Sequence, residues 1–129
     1  MILDSSAVIA VLREEDGDAD LVRALEGVDV VAIGAPTLLE TEMVAAGRWG
    51  ENGRAAVTRF REKWAVEVLA FDGRHSRAAL DAFTRYGRGS GHPAKLNYGD
   101  CMAYATARVA QMPLLFTGED FAKTDIPIA

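Results

Sequence analysis

Residues 96–120 read LNYGDCMAYATARVAQMPLLFTGED. Asn97-Tyr98-Gly99-Asp100 has the form of a helix start, a polar cap followed three places on by an acid. Small residues then run to Ala110, with Met102, Tyr104 and Val109 among them, so the spacing predicts a helix over 98–110 that packs on several sides. Pro113–Phe116 is a short apolar run closed by Thr117 and Gly118, which reads as a strand. One acid, Asp100, begins the helix, and another, Asp120, lies just beyond the strand.

The rest of the chain repeats this alternation. Met1–Leu3, Val28–Ile33 and Val66–Phe71 are apolar runs rich in β-branched residues and closed by Asp, Gly or Pro, so they read as strands. Helical character is predicted for Ser6–Leu12, Ala19–Leu25, Thr37–Arg48, Arg54–Trp64 and Arg74–Tyr86. Strands separated by helices imply crossovers and a mostly parallel sheet with helices on both faces. The expectation is a three-layer α/β/α domain over residues 1–129. In such sheets ligands sit beyond the carboxyl ends of the strands.

With 129 residues, 50% of them hydrophobic and 26% charged, the chain has globular composition and is neither disordered, collagenous nor a long coiled coil. No apolar run approaches the roughly 18 residues of a membrane span. The start, MILDSS, lacks the basic and apolar regions of a signal peptide. A single cysteine, Cys101, excludes an internal disulfide and fits a reducing, cytoplasmic setting. The net charge of −5 argues against a phosphate-rich partner unless acids hold metal; two divalent cations would bring it to about −1.

Asp4, Glu40, Asp72, Asp100 and Asp120 all lie at or near strand ends or helix starts. Each could simply cap a helix: Asp4 the Ser6 helix, Thr37–Glu40 as a T-x-x-E box, Asp72 the Arg74 helix, Asp100 with Asn97, and Asp120 a short turn at Phe121. Several carboxylates in one place repel one another unless a cation is present. Mg²⁺ or Mn²⁺ takes such oxygen ligands and activates water against a phosphodiester. Glu42 stands about 200° around the helix from Glu40, so only one of them faces the site; Glu40 is favoured, being closer to the strand end. His75 and His92 read as surface residues and Cys101 as a small buried one. No zinc spacing, Gly-x-Ser-x-Gly elbow or P-loop occurs.

MILDSSAVIAVL, LLETEMV, LNYGDCMAYATA and PLLFTGEDFAKTDI together resemble the PIN-domain proteins, and more narrowly the VapC toxins of bacterial toxin–antitoxin pairs. The resemblance implies a ribonuclease with one or two Mg²⁺ or Mn²⁺ ions held by Asp4, Glu40, Asp100 and Asp120. Asp4 and Asp100 would ligate directly, while Glu40 and Asp120 would bind a second ion or orient water. Glu119 and Asp125 compete with Asp120 for the fourth place. Ser5, Ser6 and Thr117 are candidates for the small hydroxyl residue usual beside the first acid. Asp72 falls outside the set and is left as a helix cap. The products would be a 5′-phosphate and a 3′-hydroxyl.

RNA would be held by local positive charge. The stretch from Arg85 to Lys95, with Tyr86, Arg88 and His92, is the candidate contact, read against a flexible solvated loop; Arg13 and Lys123 are further options. The resemblance also implies an antitoxin partner and a homodimer. An apolar groove at Arg48, Trp49, Phe60 and Trp64 would suit the antitoxin's tail, unless Phe60 and Trp64 fill the protein's own core. The rival readings are a phospho-accepting receiver-like domain, which wants a second acid where Ser5 stands, and a non-catalytic PIN-fold binding module.

Overall fold

Ile2–Leu3 (β1), Ala32–Gly34 (β2), Glu67–Leu69 (β3) and Leu114–Leu115 (β4) form an all-parallel sheet in the order β3-β2-β1-β4. This is the arrangement in the computed structural model, which describes residues 1–14 and 18–129. Parallel neighbours require crossovers, and helices supply them: Ser5–Arg13 (α1), Asp18–Glu26 (α2), Ala35–Trp49 (α3), Glu51–Lys63 (α4), Gly73–Tyr86 (α5) and Tyr98–Ala110 (α6). A 3₁₀ turn, Phe121–Lys123, follows β4. The strand order differs from the 2-1-3-4-5 order of receiver domains, so the receiver-like alternative finds no support in the topology.

The three layers follow from alternation along the strands. Ile2, Ala32 and Leu114 are paired in register and face a core shared with Ala79, Ala82 and Tyr86 of α5 and Cys101 to Ala107 of α6. Their neighbours Leu3, Ile33 and Leu115 face the other way, onto Ala7 and Val8 of α1, Leu21 and Leu25 of α2 and Phe60 of α4. Each strand is only two or three residues long, yet Ile2, Leu3, Ile33 and Leu114 are at most 2% exposed. In β1, β2 and β4 both faces are covered, which is why those strands read as continuous apolar runs, whereas the edge strand β3 is largely exposed.

Two expectations are corrected. The second strand is not Val28–Ile33. Val28 and Val30 are exposed, and pairing starts at Ala32 because its partner β1 starts at Ile2; a strand reaches no further than its neighbour. The Met1 ammonium donates to the Val30 carbonyl, which fixes that edge. His75 is not a surface residue. It is buried, with Nδ1 accepting from the Asp72 N–H at 3.0 Å in a capping box and its ring stacked on Phe71. Of the two readings of Phe60 and Trp64, the core reading holds: Phe60 is buried and Trp64 packs partly buried on the same core. Among the described residues no helix is long and apolar enough to cross a membrane.

Candidate active site

Parallel strands point their carboxyl ends the same way, so the residues just after β1, β2 and β4 converge. Asp4 leaves β1 in extended conformation and caps α1. Its Oδ2 accepts from the Ser6 N–H at 3.0 Å and from Ser6 Oγ at 2.5 Å. Its Oδ1 is buried and accepts no hydrogen bond, although the residue is only 3% exposed. A buried carboxylate oxygen without a donor is costly. Burial pushes the Asp4 carboxyl up to about 6; the two bonds from Ser6 oppose the rise, and the charges of Asp100 and Glu40 add to it. Ser6 Oγ also accepts from the Thr117 N–H at 3.1 Å, which ties the end of β4 to the end of β1.

Glu40 arrives from α3, though not as a capping box. The helix starts at Ala35 with Gly34 as its cap and Pro36 in the first turn, so Glu40 lies in the second turn rather than the first. Thr37 is consequently inside the helix, buried, with Oγ1 unpartnered. Without capping duty, the Glu40 carboxylate accepts from Ser5 Oγ at 2.6 Å. Its other oxygen lies against Gly99, so close that a Cβ there would collide with it. Of the pair Glu40 and Glu42, it is Glu40 whose charge acts on Asp4 and Asp100.

Asp100 sits in the first turn of α6, where a capping box forms as expected: Asn97 Oδ1 accepts from the Asp100 N–H at 2.8 Å and Asp100 Oδ2 from the Asn97 N–H at 3.0 Å. Burial raises its pKa most. The Asn97 N–H opposes this, the charges of Asp120 and Glu40 add to it, and Arg88 works against it. Asp120 precedes the 3₁₀ turn in helical conformation, is exposed, and makes no capping bond, contrary to the simple capping reading. Asp125 is engaged elsewhere. Tyr104 donates to its Oδ1 at 2.6 Å and Arg108 to its Oδ2 at 2.6 Å, with Arg85 at 3.4 Å. Asp72 caps α5 and pairs with Arg74.

The charge of Glu40 thus acts on both Asp4 and Asp100, that of Asp100 on Asp4, and that of Asp120 on Asp100, so the four acids form a chain of coupled carboxylates at the carboxyl end of the sheet. Among the described residues, no three acidic, imidazole or thiol groups stand close enough to make a finished cation cage. Each of three carboxylates is instead held by a neighbour, Asp4 by Ser6, Glu40 by Ser5 and Asp100 by Asn97. The donor set is nevertheless all hard oxygen, with one oxygen of Asp4 buried and unsatisfied, which suits Mg²⁺ or Mn²⁺.

The 85–95 stretch is not a loose loop. Gly87 bridges to Leu96, Ser90 Oγ donates to the Gly87 carbonyl at 2.7 Å, and the Ala94 N–H donates to His92 Nδ1 at 3.1 Å. Tyr86 is buried, with His92 edge-on to its ring, and Arg85 is drawn to Asp125. Arg88 and Lys95 remain exposed, and Arg88 is the cation felt by Asp100. Sequence reasoning missed the part played by Gly99, whose partner Glu40 lies far away in the chain.

The family model of the PIN domain matches residues 1–127. Ribonuclease VapC36 of Mycobacterium tuberculosis is 42% identical over 127 residues, covering 98% of this chain and 91% of its own. Ribonuclease VapC of Mycolicibacterium smegmatis is 40% identical over 127 residues, covering 98% and 97%. Among solved structures, Mycobacterium tuberculosis VapC20, a sarcin-ricin loop cleaving toxin, superposes with TM-score 0.78 at 17% identity, over 99% of this chain and 97% of that one. VapBC2 from Rickettsia felis, bound to a DNA fragment from its promoter, gives TM-score 0.77 at 13% identity, over 98% and 94%. At those identities the structural likenesses bear on the fold alone.

Proposed function

The chain belongs to the PIN-domain family, and from that premise we propose that it is a ribonuclease toxin of a toxin–antitoxin pair, acting as one unit over residues 1–129 and dependent on Mg²⁺ or Mn²⁺. The observation that carries the proposal is the buried, unsatisfied Oδ1 of Asp4, whose carboxyl feels the charges of Asp100 and Glu40. An anionic pocket of this kind is an uncomfortable resting state that a cation relieves.

In this reading Asp4 and Asp100 hold the ion directly, and Glu40 and Asp120 complete the set. Bound there, a divalent cation supplies Lewis-acid polarisation of the phosphodiester and a more acidic water. Ser6 keeps Asp4 oriented and, through the Thr117 N–H, holds the β4 end against it. Ser5 and Gly99 set the position of Glu40. Arg88 and Lys95 supply cations toward RNA phosphates, His92 braces their loop, and Ser6 and Thr117 border the scissile group. RNA hydrolysed this way ends in a 5′-phosphate and a 3′-hydroxyl.

A cognate antitoxin and a homodimer belong to the same proposal. A relative in fold was solved as a toxin–antitoxin complex from Klebsiella pneumoniae. Here Leu80 and Phe83 on α5 are 64% and 48% exposed, apolar surface of the kind a protein partner covers. The test is cleavage of total RNA by the purified chain with Mg²⁺ or Mn²⁺. Asp4→Asn and Asp100→Asn should each abolish cleavage and relieve growth arrest on expression while the fold survives, and EDTA should stop the wild type. Full activity in both variants, or chelator-resistant cleavage leaving cyclic phosphates, would overturn the assignment.

A further inference from the structure

The peptide group between Leu96 and Asn97 is shared by two hydrogen bonds. Its carbonyl accepts from the Arg88 N–H at 3.0 Å, and its N–H donates to Asp100 Oδ2 at 3.0 Å. One peptide unit therefore stands between Arg88 and the Asp100 carboxylate, and the Arg88 backbone lies no more than about 8 Å from Asp100 Oδ2. The Arg88 side chain is exposed, and its charge acts on Asp100. Among the described residues its guanidinium nevertheless makes no hydrogen bond or ion pair. Arg85 and Arg108, by contrast, are held by Asp125, and Arg74 by Asp72. The backbone that carries Arg88 is preset: the Leu96 N–H donates to the Tyr86 carbonyl at 2.9 Å and closes the 87–96 loop at its neck, and Ala94 and Leu96 pack inside with no exposure.

We propose that Arg88 is a catalytic residue, whose guanidinium binds the non-bridging oxygens of the very phosphodiester that is cleaved. The inference rests on the ribonuclease reading and deepens it, since there Arg88 is one of two cations facing the RNA backbone at large. Two observations select the scissile phosphate over its neighbours. The loop neck is hydrogen-bonded to the peptide that also holds Asp100, so Arg88 keeps its place relative to that acid. An exposed arginine that pairs with none of the acids beside it has its planar fork open to another anion. In the hydrolysis a water oxygen joins phosphorus, the bond to the 3′ oxygen breaks, and one proton of the water ends on that oxygen. The arriving and leaving oxygens bring added negative charge to the phosphorus centre. Donors fixed beforehand then stabilise the transition state more than the ground state, and their loss appears in kcat. Arg88 is itself positive, so it repels a cation at the acids and has no share in holding one.

The experiment compares the full chain as wild type, Arg88→Ala, Arg88→Lys and Arg54→Ala. Arg54 is an exposed arginine near the start of α4, paired with Glu51, and its loss changes the net charge equally. Steady-state cleavage of a susceptible RNA with Mg²⁺ gives kcat and KM. Titration of the RNA-free proteins with Mn²⁺, followed by electron paramagnetic resonance, gives the affinity for the ion. Arg88→Ala should lower kcat about 10²- to 10³-fold with KM within about threefold. It should bind Mn²⁺ at least as tightly as the wild type and melt at the same temperature. Arg88→Lys keeps the charge without the fork, so its kcat should fall between the two. Arg54→Ala should match the wild type throughout. A raised KM with kcat unchanged would make Arg88 a general backbone contact and overturn the proposal. Weakened Mn²⁺ binding in Arg88→Ala would do the same, for the loop would then serve to place Asp100. An equal loss in Arg54→Ala would trace the effect to net charge and also overturn it. If the wild type cleaves no RNA, the nuclease reading fails and this proposal with it; an active wild type beside an equally fast Arg88→Ala overturns this proposal alone.

Discussion

Ser5 Oγ donates a 2.6 Å hydrogen bond to Glu40 Oε1, joining the first turn of α1 to the second turn of α3 across 35 residues. The other oxygen of the same carboxylate rests against Gly99 in the first turn of α6. Three helices that follow or precede three different strands therefore meet on one side chain, and its position depends on all of them.

Gly99→Ala is expected to push the Glu40 carboxylate off its place, because the new Cβ would occupy the same space. Misplacing a positioned group by about 1 Å can cost on the order of 10²-fold in rate. Ser5→Ala removes one hydrogen bond and should cost less, about 2- to 10-fold. Single-turnover cleavage with Mg²⁺ measures both, and thermal melts should show the fold intact. A Gly99→Ala protein with wild-type rates would mean that Glu40 has no part in the chemistry.

Asp4 links the site to stability. Its carboxyl ordinarily ionises near 3.8 and does so here at about 6, so between those values the folded state binds more protons than the unfolded one. Stability therefore falls as pH rises through that window, and the whole penalty stands above about 6. In EDTA at neutral pH, Asp4→Asn should be more stable than wild type by about 1–3 kcal/mol, since asparagine still caps α1. The gap should close as pH drops toward 3.8. Mg²⁺ should narrow it at neutral pH by stabilising the wild type. Denaturant titrations across that range, with and without the ion, decide the matter; a less stable variant in EDTA contradicts the burial argument.

Much of this was legible in the sequence because the signals were local. The helix predicted over 98–110 is the helix observed, since its Asn97–Asp100 box and its small residues all lie within it. The parallel sheet followed from the alternation of runs. What the sequence concealed was long-range. Val28 and Val30 look like strand, but only the register of Ile2 against Ala32 decides where pairing begins. Thr37–Glu40 looks like a capping box, but Pro36 lets the helix start earlier, at Ala35, and leaves Glu40 unoccupied by capping. The closeness of Gly99 to Glu40 spans 59 positions of chain and has no local signature at all.

Asp72 tests whether an acid at a strand end needs to be chemical. It caps α5, accepting from the Arg74 N–H at 2.9 Å, and the bonds and charge of Arg74 hold its carboxyl well below the usual range. Asp72→Ala should lower the melting temperature by a few degrees, having removed both the cap and the support of His75. Cleavage of a susceptible RNA should stay near the wild-type rate. A large loss of activity in a folded Asp72→Ala protein would place the catalytic edge differently.

Asp120 and Asp125 are neighbours in sequence with opposite surroundings, and their variants should part accordingly. Asp120 makes no capping bond and its charge presses on Asp100, whereas Asp125 is held by Tyr104, Arg108 and Arg85. Although burial resists its ionisation, the bonds from Tyr104 and Arg108 and the charges of Arg108 and Arg85 bring the Asp125 carboxyl down to about 2. That contribution to stability is present above the ordinary 3.8 and is lost as pH falls toward 2, because protonation releases both arginines. Asp125→Asn should thus melt earlier at neutral pH, lose part of the acid-induced destabilisation of the wild type, and keep its cleavage rate. Asp120→Asn should melt no earlier than wild type and cleave about 10- to 100-fold more slowly, the usual cost of removing a group that supports a metal site. Parallel melts and single-turnover assays on the two proteins separate the roles, and a slow Asp125→Asn enzyme beside a normal Asp120→Asn one would reverse them.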